Sequence, residues 1–151
     1  MIDITNTPTI KVKKMNSNAT LPTRGSEEAA GIDLYACIDN PITIQPHDSV
    51  TFNSGVAFEL PKGYFGAVVP RSSIGIKKHL RLCNDVGVID FDYKGSVLMA
   101  FHNDSAYPQT INPGDRIAQM VLLPYVTFPI EEVEELTDTE RGEGGIGSTG
   151  V

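Results

Sequence analysis

The amino-acid sequence predicts an all-β protein, and three observations support this fold class. Apolar and polar residues alternate with a period of two in several short runs, which is typical of half-buried strands. Turn-forming residues lie between these runs, and no segment shows a sustained helical period. The predicted strands are the runs 9–13, 42–45, 51–58, 64–69, 86–89, 96–102 and 117–123.

Proline-containing turns separate the predicted strands in the first half of the chain. Pro46-His47-Asp48 follows the run 42–45, and Pro61-Lys62-Gly63 precedes the run 64–69. Proline presets the backbone angle of a turn, and glycine accepts conformations that other residues avoid. This spacing of strands and turns is suited to an antiparallel sandwich or barrel.

A short helical turn and a β-hairpin are predicted in the second half. The segment 72–77 is the best helical candidate, and Gly75 weakens it. The run 86–89 is apolar and β-branched, 92–95 has turn chemistry, and 96–101 returns as a second strand. Asp90 would then lie near the tip of this hairpin, where an isolated aspartate is either a turn cap or a pocket carboxylate.

Composition limits the classes of function. A chain of 151 residues fits one domain, and 19 acidic against 12 basic side chains give a net charge of −7. Stable binding to nucleic acid or to an anionic membrane is therefore not expected, although a local basic pocket for a small anion is compatible with this charge. No run has the length of a signal peptide core or a membrane span, which predicts a soluble protein located in the cytoplasm.

The composition changes after Pro129, where four glutamates precede a glycine-rich tail. Gly142, Gly144 and Gly147 match a dinucleotide-binding pattern, but the four residues that follow cannot form the helix that holds a pyrophosphate. The tail is too poor in apolar residues to form a core of its own. We therefore divide the chain into a β-sandwich domain, residues 1–136, and a mobile C-terminal arm of the same domain, residues 137–151.

Five segments match, in order and spacing, the signature motifs of one enzyme family. They are Ala30-Gly31-Ile32-Asp33-Leu34, Pro70-Arg71-Ser72-Ser73-Ile74-Gly75, residues 84–97, Gly114-Asp115-Arg116-Ile117-Ala118-Gln119, and residues 141–150. On these motifs the chain resembles the trimeric dUTP pyrophosphatases (dUTPases), over almost its whole length. Each motif alone is weak evidence, but five in register within one short chain are hard to produce by chance.

The resemblance implies a fold, an assembly and a reaction. The fold would be a jelly-roll-like β-sandwich that assembles as a homotrimer, with the arm of one subunit closing the active site of a neighbour. The reaction would be Mg²⁺-dependent hydrolysis of dUTP to dUMP and diphosphate by attack of water on the α-phosphorus. It would keep uracil out of DNA and supply dUMP for thymidylate synthesis. Asp33 would reach the Mg²⁺ ion through water.

The family pattern also implies roles for individual residues in the body of the chain. Asp90 would be the general base and would hold the 3′-hydroxyl, while Gln119 would contact the attacking water. Tyr93 would lie against the deoxyribose, where a 2′-hydroxyl would collide with its ring. The residues implied to bind the base are Asn84, Val88 and Ile89, and those implied to bind the phosphates are Arg71, Ser72 and Ser73.

The C-terminal arm carries the remaining implied substrate contacts. Arg141, Ser148 and Thr149 would meet the γ-phosphate, and Gly147 would bring the backbone close to the substrate. Ile146 stands where the family usually has a phenylalanine that stacks on the uracil. Loss of such a stacking contact costs on the order of 1–3 kcal/mol of binding free energy, so we expect weaker closure of the arm.

The sequence leaves two main alternative functions open, besides a structural or lectin-like jelly-roll module, against which Asp90, Tyr93, Arg71 and Gln119 argue. A dCTP deaminase shares the fold and a Pro-Arg-Ser-Ser motif like Pro70-Arg71-Ser72-Ser73, but the segment 87–93 and the Gly-Ser-Thr-Gly ending favour the dUTPase form. Proteins of the dUTPase type in some mobile elements also bind regulatory repressors. A regulatory protein partner is therefore a second alternative, and it is compatible with catalysis.

Overall fold

The computed structural model describes residues 8–146. This part of the chain forms twelve β-strands and one turn of π-helix at Ser73–Lys77. The first six strands are β1 Lys11–Lys14, β2 Thr23–Arg24, β3 Ile32–Tyr35, β4 Ile42–Ile44, β5 Ser49–Asn53 and β6 Val56–Glu59. The other six are β7 Tyr64–Pro70, β8 Leu80–Leu82, β9 Gly87–Ile89, β10 Leu98–Asn103, β11 Gln109–Ile111 and β12 Arg116–Pro124. The all-β prediction is confirmed.

All the strand pairs are antiparallel, and they form four sheets within the described residues. The largest sheet has the order β2-β3-β12-β7-β9, and a second sheet has the order β5-β10-β8. Two smaller sheets consist of β1 with β6 and of β4 with β11. The predicted site residues lie mostly on, or at the ends of, strands of the five-stranded sheet.

The core is aliphatic with one buried aromatic pair. Phe52 of β5 and Phe101 of β10 contact each other edge to face, with ring centroids 6.3 Å apart. The largest fully buried side chains around them include Leu34, Ile44, Leu80, Leu82, Met99, Ile111, Ile117 and Met120. These residues come from both larger sheets and from the β4–β11 pair, so packing between the sheets stabilises the fold.

The predicted run 51–58 is two strands rather than one. Ser54 and Gly55 interrupt it, and Gly55 adopts a left-handed φ of 68°. A Cβ atom at this glycine would lie 2.7 Å from the Cβ of Ala19 and 2.8 Å from the Sγ of Cys37. The break therefore follows from a close backbone approach that only glycine permits.

The predicted hairpin between the runs 86–89 and 96–101 is wrong. Strand β9 pairs with β7, whereas β10 has β5 on one side and β8 on the other. Because both edges of β10 are occupied, β9 cannot pair with it. Residues 90–97 instead cross from one sheet to the other, and this crossing ends where the Val97 N–H donates to the Val56 carbonyl at 3.0 Å.

The chain leaves the last strand close to the turn before β7. The Tyr125 N–H donates to the carbonyl of Gly63 at 2.9 Å. Residues 126–146 then form no strand or helix, and their apolar side chains are exposed. Between residues 8 and 146, no helix is long and apolar enough to cross a membrane.

Candidate active site

The predicted residues of the third motif line one pocket of about 200 Å³. Its walls are Asn84, Gly87, Val88, Ile89, Asp90, Tyr93 and Leu98. Gly87 and Leu98 are the residues of this pocket to which the sequence assigned no role, and the exposure of Leu98 is visible only in the structure. The pocket combines an amide, a carboxylate and an aromatic ring on an apolar floor, which suits a small polar ring system.

Strand alternation explains how β9 presents these groups. Val88 is 59% exposed, Ile89 is buried in the core, and Asp90 is exposed again. The strand lies at the edge of its sheet, so beyond the pairs with β7 its other edge is open. Asp85, with a left-handed φ of 58°, turns the chain just before the strand. The backbone and the carboxylate therefore face the same pocket.

Tyr93 is held at its backbone and at its hydroxyl. Its backbone N–H donates to the Asp90 carbonyl at 3.2 Å, and its hydroxyl donates to the Ser96 carbonyl at 2.9 Å. The ring lies against Gly95, where an added Cβ would be 2.5 Å from the Tyr93 Oη. Gly95 therefore provides the space in which the tyrosine ring stands.

A neighbouring apolar pocket adjoins the same carboxylate. It has a volume of about 220 Å³ and is lined by Phe65, Val88, Asp90 and Tyr125. Phe65 and Tyr125 contact each other edge to face, with centroids 6.2 Å apart. Sequence analysis identified neither aromatic residue, because they come from β7 and from the residue after β12 and meet only in the folded chain.

The predicted phosphate-binding residues lie elsewhere, at the far end of β7. Arg71 follows this strand, and its N–H donates to the Ile117 carbonyl at 3.2 Å. Its Nε lies 3.1 Å from Oδ1 of Asp33, while Nη1 of Arg116 lies 3.3 Å from Oδ2 of the same carboxylate. Ser72 and Ser73 are exposed at the start of the π-helical turn. Arginine and hydroxyl donors in this arrangement suit an anion such as a phosphate.

Gln119 lies on the sheet beside this arginine cluster. It is directly opposite Asp33 on β3 and Val69 on β7. Its side chain lies over Gly31, where any Cβ atom would overlap the Gln119 amide. The first motif thus uses its glycine to admit the glutamine and its aspartate to hold the arginines.

Asp33 lies buried between two guanidinium groups. Only 6% of its side chain is exposed. Its Oδ2 accepts a hydrogen bond from Arg116 Nη1, and its Oδ1 forms an ion pair with Arg71. Among residues 8–146, no group of three histidine, cysteine, aspartate or glutamate side chains is placed to hold a metal ion. The structure therefore offers no carboxylate cage for a metal in this region.

The two groups of site residues are far apart within one chain. Strand β9 runs antiparallel to β7, and Ile89 pairs with Gly66, so Asp90 lies level with Phe65. Arg71 follows Phe65 by six residues in the direction of β7, which corresponds to roughly 20 Å at the rise of a β-strand. One chain therefore brings together the third-motif residues, and separately the arginine cluster, but not both.

The C-terminal arm is described only as far as residue 146. Arg141 is exposed, and its Nε donates to the Gly144 carbonyl at 2.9 Å. Ile146 is fully exposed. The other predicted arm residues, Gly147, Ser148 and Thr149, lie outside the described residues.

The fold and these two clusters define an antiparallel β protein with a carboxylate pocket for a ring system and a distant arginine site for an anion. Comparison with known proteins identifies the family. The dUTPase family model matches residues 17–150, and the chain belongs to this family.

Two named relatives are similar over nearly their full length. The deoxyuridine 5'-triphosphate nucleotidohydrolase of Syntrophotalea carbinolica is 43% identical over 146 residues, which cover 95% of this chain and 98% of the relative. The enzyme of the same name from Escherichia phage T5 is 46% identical over 147 residues, which cover 93% and 98%.

Solved structures agree with the fold. The dUTPase of Staphylococcus bacteriophage 80alpha with dUPNHPP has a TM-score of 0.85 at 29% identity, covering 96% of this chain and 100% of that one. A mutant dUTPase from phage phi11 of S. aureus, whose structure describes the coordination of a structural Mg(II) ion, has a TM-score of 0.77 at 25% identity. It covers 87% of this chain and 100% of that one.

Proposed function

We propose that this protein is a dUTP diphosphatase, which hydrolyses dUTP to dUMP and diphosphate. The observation that carries the proposal is the pocket in which Asp90, Asn84 and Tyr93 converge on the exposed edge of β9. Membership in the dUTPase family supplies the substrate class. In a cell this reaction removes dUTP from the precursors of DNA and provides dUMP for thymidylate synthesis.

The proposed reaction is a displacement at phosphorus. A water molecule attacks the α-phosphorus, and the bond from this atom to the oxygen that bridges to the β-phosphate breaks. Diphosphate leaves with the bond electrons, while the proton of the attacking water passes to the Asp90 carboxylate and then to solvent. Gln119 orients the attacking water. General-base assistance of this kind typically contributes about 10²–10⁴ in rate.

Selection of the nucleoside is assigned to β9 and the segment after it. The backbone at Val88 and Ile89, with the Asn84 amide, offers donors and acceptors to the edge of the uracil ring. A pocket that makes polar contacts to its ligand rejects a mismatched analogue by as much as ~10⁴–10⁵. The Tyr93 ring, fixed over Gly95, would collide with a ribose 2′-hydroxyl and so favours deoxyribose.

We propose that Mg²⁺ enters with the substrate, as the complex of Mg²⁺ with the dUTP phosphates. Mg²⁺ keeps several waters and takes its direct ligands from phosphates in such sites, so it requires few protein carboxylates. Asp33 is ion-paired with Arg71 and Arg116, so we assign it no direct bond to the metal. No step of the proposed reaction depends on a metal held by the protein.

We also propose that the active site is shared between subunits of a homotrimer. The Asp90 pocket and the Arg71 cluster lie roughly 20 Å apart along one chain, which is too far for both to contact the same nucleotide. A second subunit would supply the Arg71 cluster to the Asp90 pocket of the first. The exposed Val126, Phe128 and Ile130 support contact with another chain, because isolated exposure of several large apolar residues is unfavourable.

The C-terminal arm, residues 137–151, would then close a site on a neighbouring subunit. Arg141 is exposed and carries a charge suited to the γ-phosphate. Ser148 and Thr149 would add hydroxyl donors, Gly147 a backbone contact, and Ile146 an apolar contact with the base. Closure over the triphosphate would exclude bulk water from the reacting phosphorus.

The first experiment measures diphosphate and ammonia release from dUTP, dCTP, dTTP and UTP in Mg²⁺ buffer. Diphosphate from dUTP alone is the expected result, and it would establish both base and sugar selectivity. Ammonia from dCTP would assign the protein to the deaminase branch instead. Turnover of none of the four nucleotides would contradict the proposed activity and leave a regulatory protein binder as the explanation.

A further inference from the structure

The carboxylate of Asp33 lies between two guanidinium groups. Its Oδ1 is 3.1 Å from the Nε of Arg71, and its Oδ2 is 3.3 Å from Nη1 of Arg116. The Asp33 side chain is 6% exposed, whereas those of Arg71 and Arg116 are 28% and 45% exposed. A buried carboxylate thus holds two arginines that both reach the surface.

A β-bulge places Arg116 in this cluster. Gln119 pairs with Asp33 and Ala118 with Leu34, so a regular ladder would set residue 117 opposite Tyr35. Arg116 takes that place instead, because the register shifts between Arg116 and Ala118. Successive side chains of a strand point to opposite faces, so this shift moves the Arg116 side chain to the face of Asp33 and Gln119. Without the bulge it would point to the other face.

The cluster keeps a positive charge and free donors. Two guanidinium groups and one carboxylate leave a formal charge of +1. A guanidinium has five N–H donors, and Arg116 uses one of them in its hydrogen bond to Asp33. Arg71 is held beside the same carboxylate by the ion pair at its Nε, which leaves the two NH₂ groups of Arg71 available to an anion. Such preorganisation is what a phosphate site needs to align a phosphorus atom for attack.

We propose that Asp33 and Arg116 form a clamp that orients Arg71 toward the phosphate chain. Arg116 is a positioning residue in this arrangement, since it acts through Asp33, and the carboxylate serves the arginines rather than a metal ion. This inference rests on the proposed function for the identity of the anion, the triphosphate of dUTP. It assigns a role to the buried aspartate of the first motif that its contacts support.

The first test compares Arg116→Met, Arg116→Lys and the control Arg81→Met. Arg81 lies on β8 of the three-stranded sheet and forms a similar surface ion pair, with Asp104 at 3.0 Å. Arg116→Met should lower kcat for dUTP by about 10- to 100-fold, as a small misplacement of a substrate contact does, and change KM less. Arg116→Lys should recover part of the loss, and Arg81→Met should match the wild type. Equal kcat in all four proteins would overturn the clamp.

The second test measures whether Arg116 acts through Asp33. If it does, Asp33→Asn and the double variant Asp33→Asn, Arg116→Met should have the same kcat, because the clamp is already open in the single variant. Multiplication of the two separate losses would show independent action and contradict the proposal. The Arg116 variants carry the test if Asp33→Asn fails to fold, since Arg116 lies at the rim of the cluster.

A third measurement separates the clamp from a metal contact without using turnover. Calorimetric titration with the non-hydrolysable dUpNHpp at several Mg²⁺ concentrations gives the dependence of the Kd on the metal. In Asp33→Asn and Arg116→Met, the Kd should depend on the Mg²⁺ concentration as in the wild type, and every Kd should be higher by the same factor. Loss of the dependence in Asp33→Asn alone would assign Asp33 to the metal. A wild type that binds no dUpNHpp would contradict the proposed function instead, so the two failures are distinguishable.

Discussion

The absence of a Cβ atom at Gly95 leaves room for the Tyr93 ring, which is proposed to select deoxyribose over ribose. A Cβ atom at position 95 would be 2.5 Å from the Tyr93 Oη and 2.7 Å from its Cζ. Gly95→Ala must therefore displace the ring that is proposed to exclude a 2′-hydroxyl. We expect kcat/KM for dUTP to fall by about 10-fold or more, and the preference for dUTP over UTP to narrow.

Steady-state assays with both nucleotides check this prediction. Gly25→Ala is the matched control, because a Cβ atom there would meet nothing within 4 Å. The control should keep the wild-type values. An unchanged preference in Gly95→Ala would mean that Tyr93 does not read the sugar.

Asp90 is the residue for which chemistry and binding are most cleanly separated. Asp90→Asn keeps the shape of the side chain but cannot accept the proton of the attacking water, so turnover should fall by about 10²–10⁴. The affinity for dUpNHpp, measured by calorimetry, should change little. Asp92→Asn, two positions along the exposed segment, is the control and should retain activity. Turnover near the wild-type level in Asp90→Asn would exclude Asp90 as the base.

At the residue level, sequence reasoning succeeds where contacts are local. Asn84, Val88, Asp90 and Tyr93 lie within ten positions, and they do line one pocket. The contact of Arg116 with Asp33 spans 83 positions and depends on a bulge that shifts one strand by a residue. Neither the separation nor the bulge leaves a periodic signal in the sequence.

Among the secondary-structure elements, the β1–β6 pair is held by an ion pair at its end. The Nζ of Lys11 lies 2.6 Å from Oε1 of Glu59. Through this hydrogen bond first and its charge second, Lys11 lowers the pKa of Glu59 below its ordinary 4.5, and Glu59 raises the pKa of Lys11 above 10.5. Both groups are fully exposed, so the stabilisation is small and screened by salt.

The signs of these shifts predict how the pair contributes to stability across pH. For Glu59 the contribution is present above pH 4.5 and is lost as pH falls through its lowered pKa. For Lys11 it is present below pH 10.5 and is lost as pH rises through its raised pKa. Glu59→Gln should therefore lower the Tm slightly at neutral pH in low salt and have no effect at strongly acidic pH.

Thermal unfolding checks this predicted loss of Tm. It is measured for Glu59→Gln and for the control Glu132→Gln, at neutral and strongly acidic pH and at two salt concentrations. Glu132 lies in the exposed segment after β12. A loss of Tm that persists in acid or in high salt would assign the effect to packing of the Glu59 side chain rather than to its charge.

Strand prediction succeeded for the longer strands and missed several short ones. The predicted runs 64–69, 96–102 and 117–123 overlap β7, β10 and β12, which have seven, six and nine residues. No run was predicted over β2, β3, β8 and β11, which have two to four residues and give a period of two little length in which to appear. The hairpin failed because turn chemistry at 92–95 does not reveal which strands flank the turn in space.

At the scale of the whole molecule, the two groups of candidate site residues lie at opposite ends of one strand. The Asp90 pocket lies beside Phe65 at one end of β7, and Arg71 follows the other end. No sequence pattern measures this separation, because it arises from the antiparallel register of β9 on β7. In the proposed homotrimer, each subunit would offer one of these groups to a neighbour.

Mixing two inactive variants tests the shared site directly. Asp90→Asn lacks the base, and Arg71→Ala lacks the phosphate contact, so each homotrimer should be inactive. If a site takes Asp90 from one subunit and Arg71 from another, refolding an equal mixture should restore about a quarter of wild-type activity, because that fraction of random pairs has both residues intact. Mixing without unfolding is the control and should stay inactive. Mixed trimers, verified by mass, that remain inactive would place both residues in a site within one subunit.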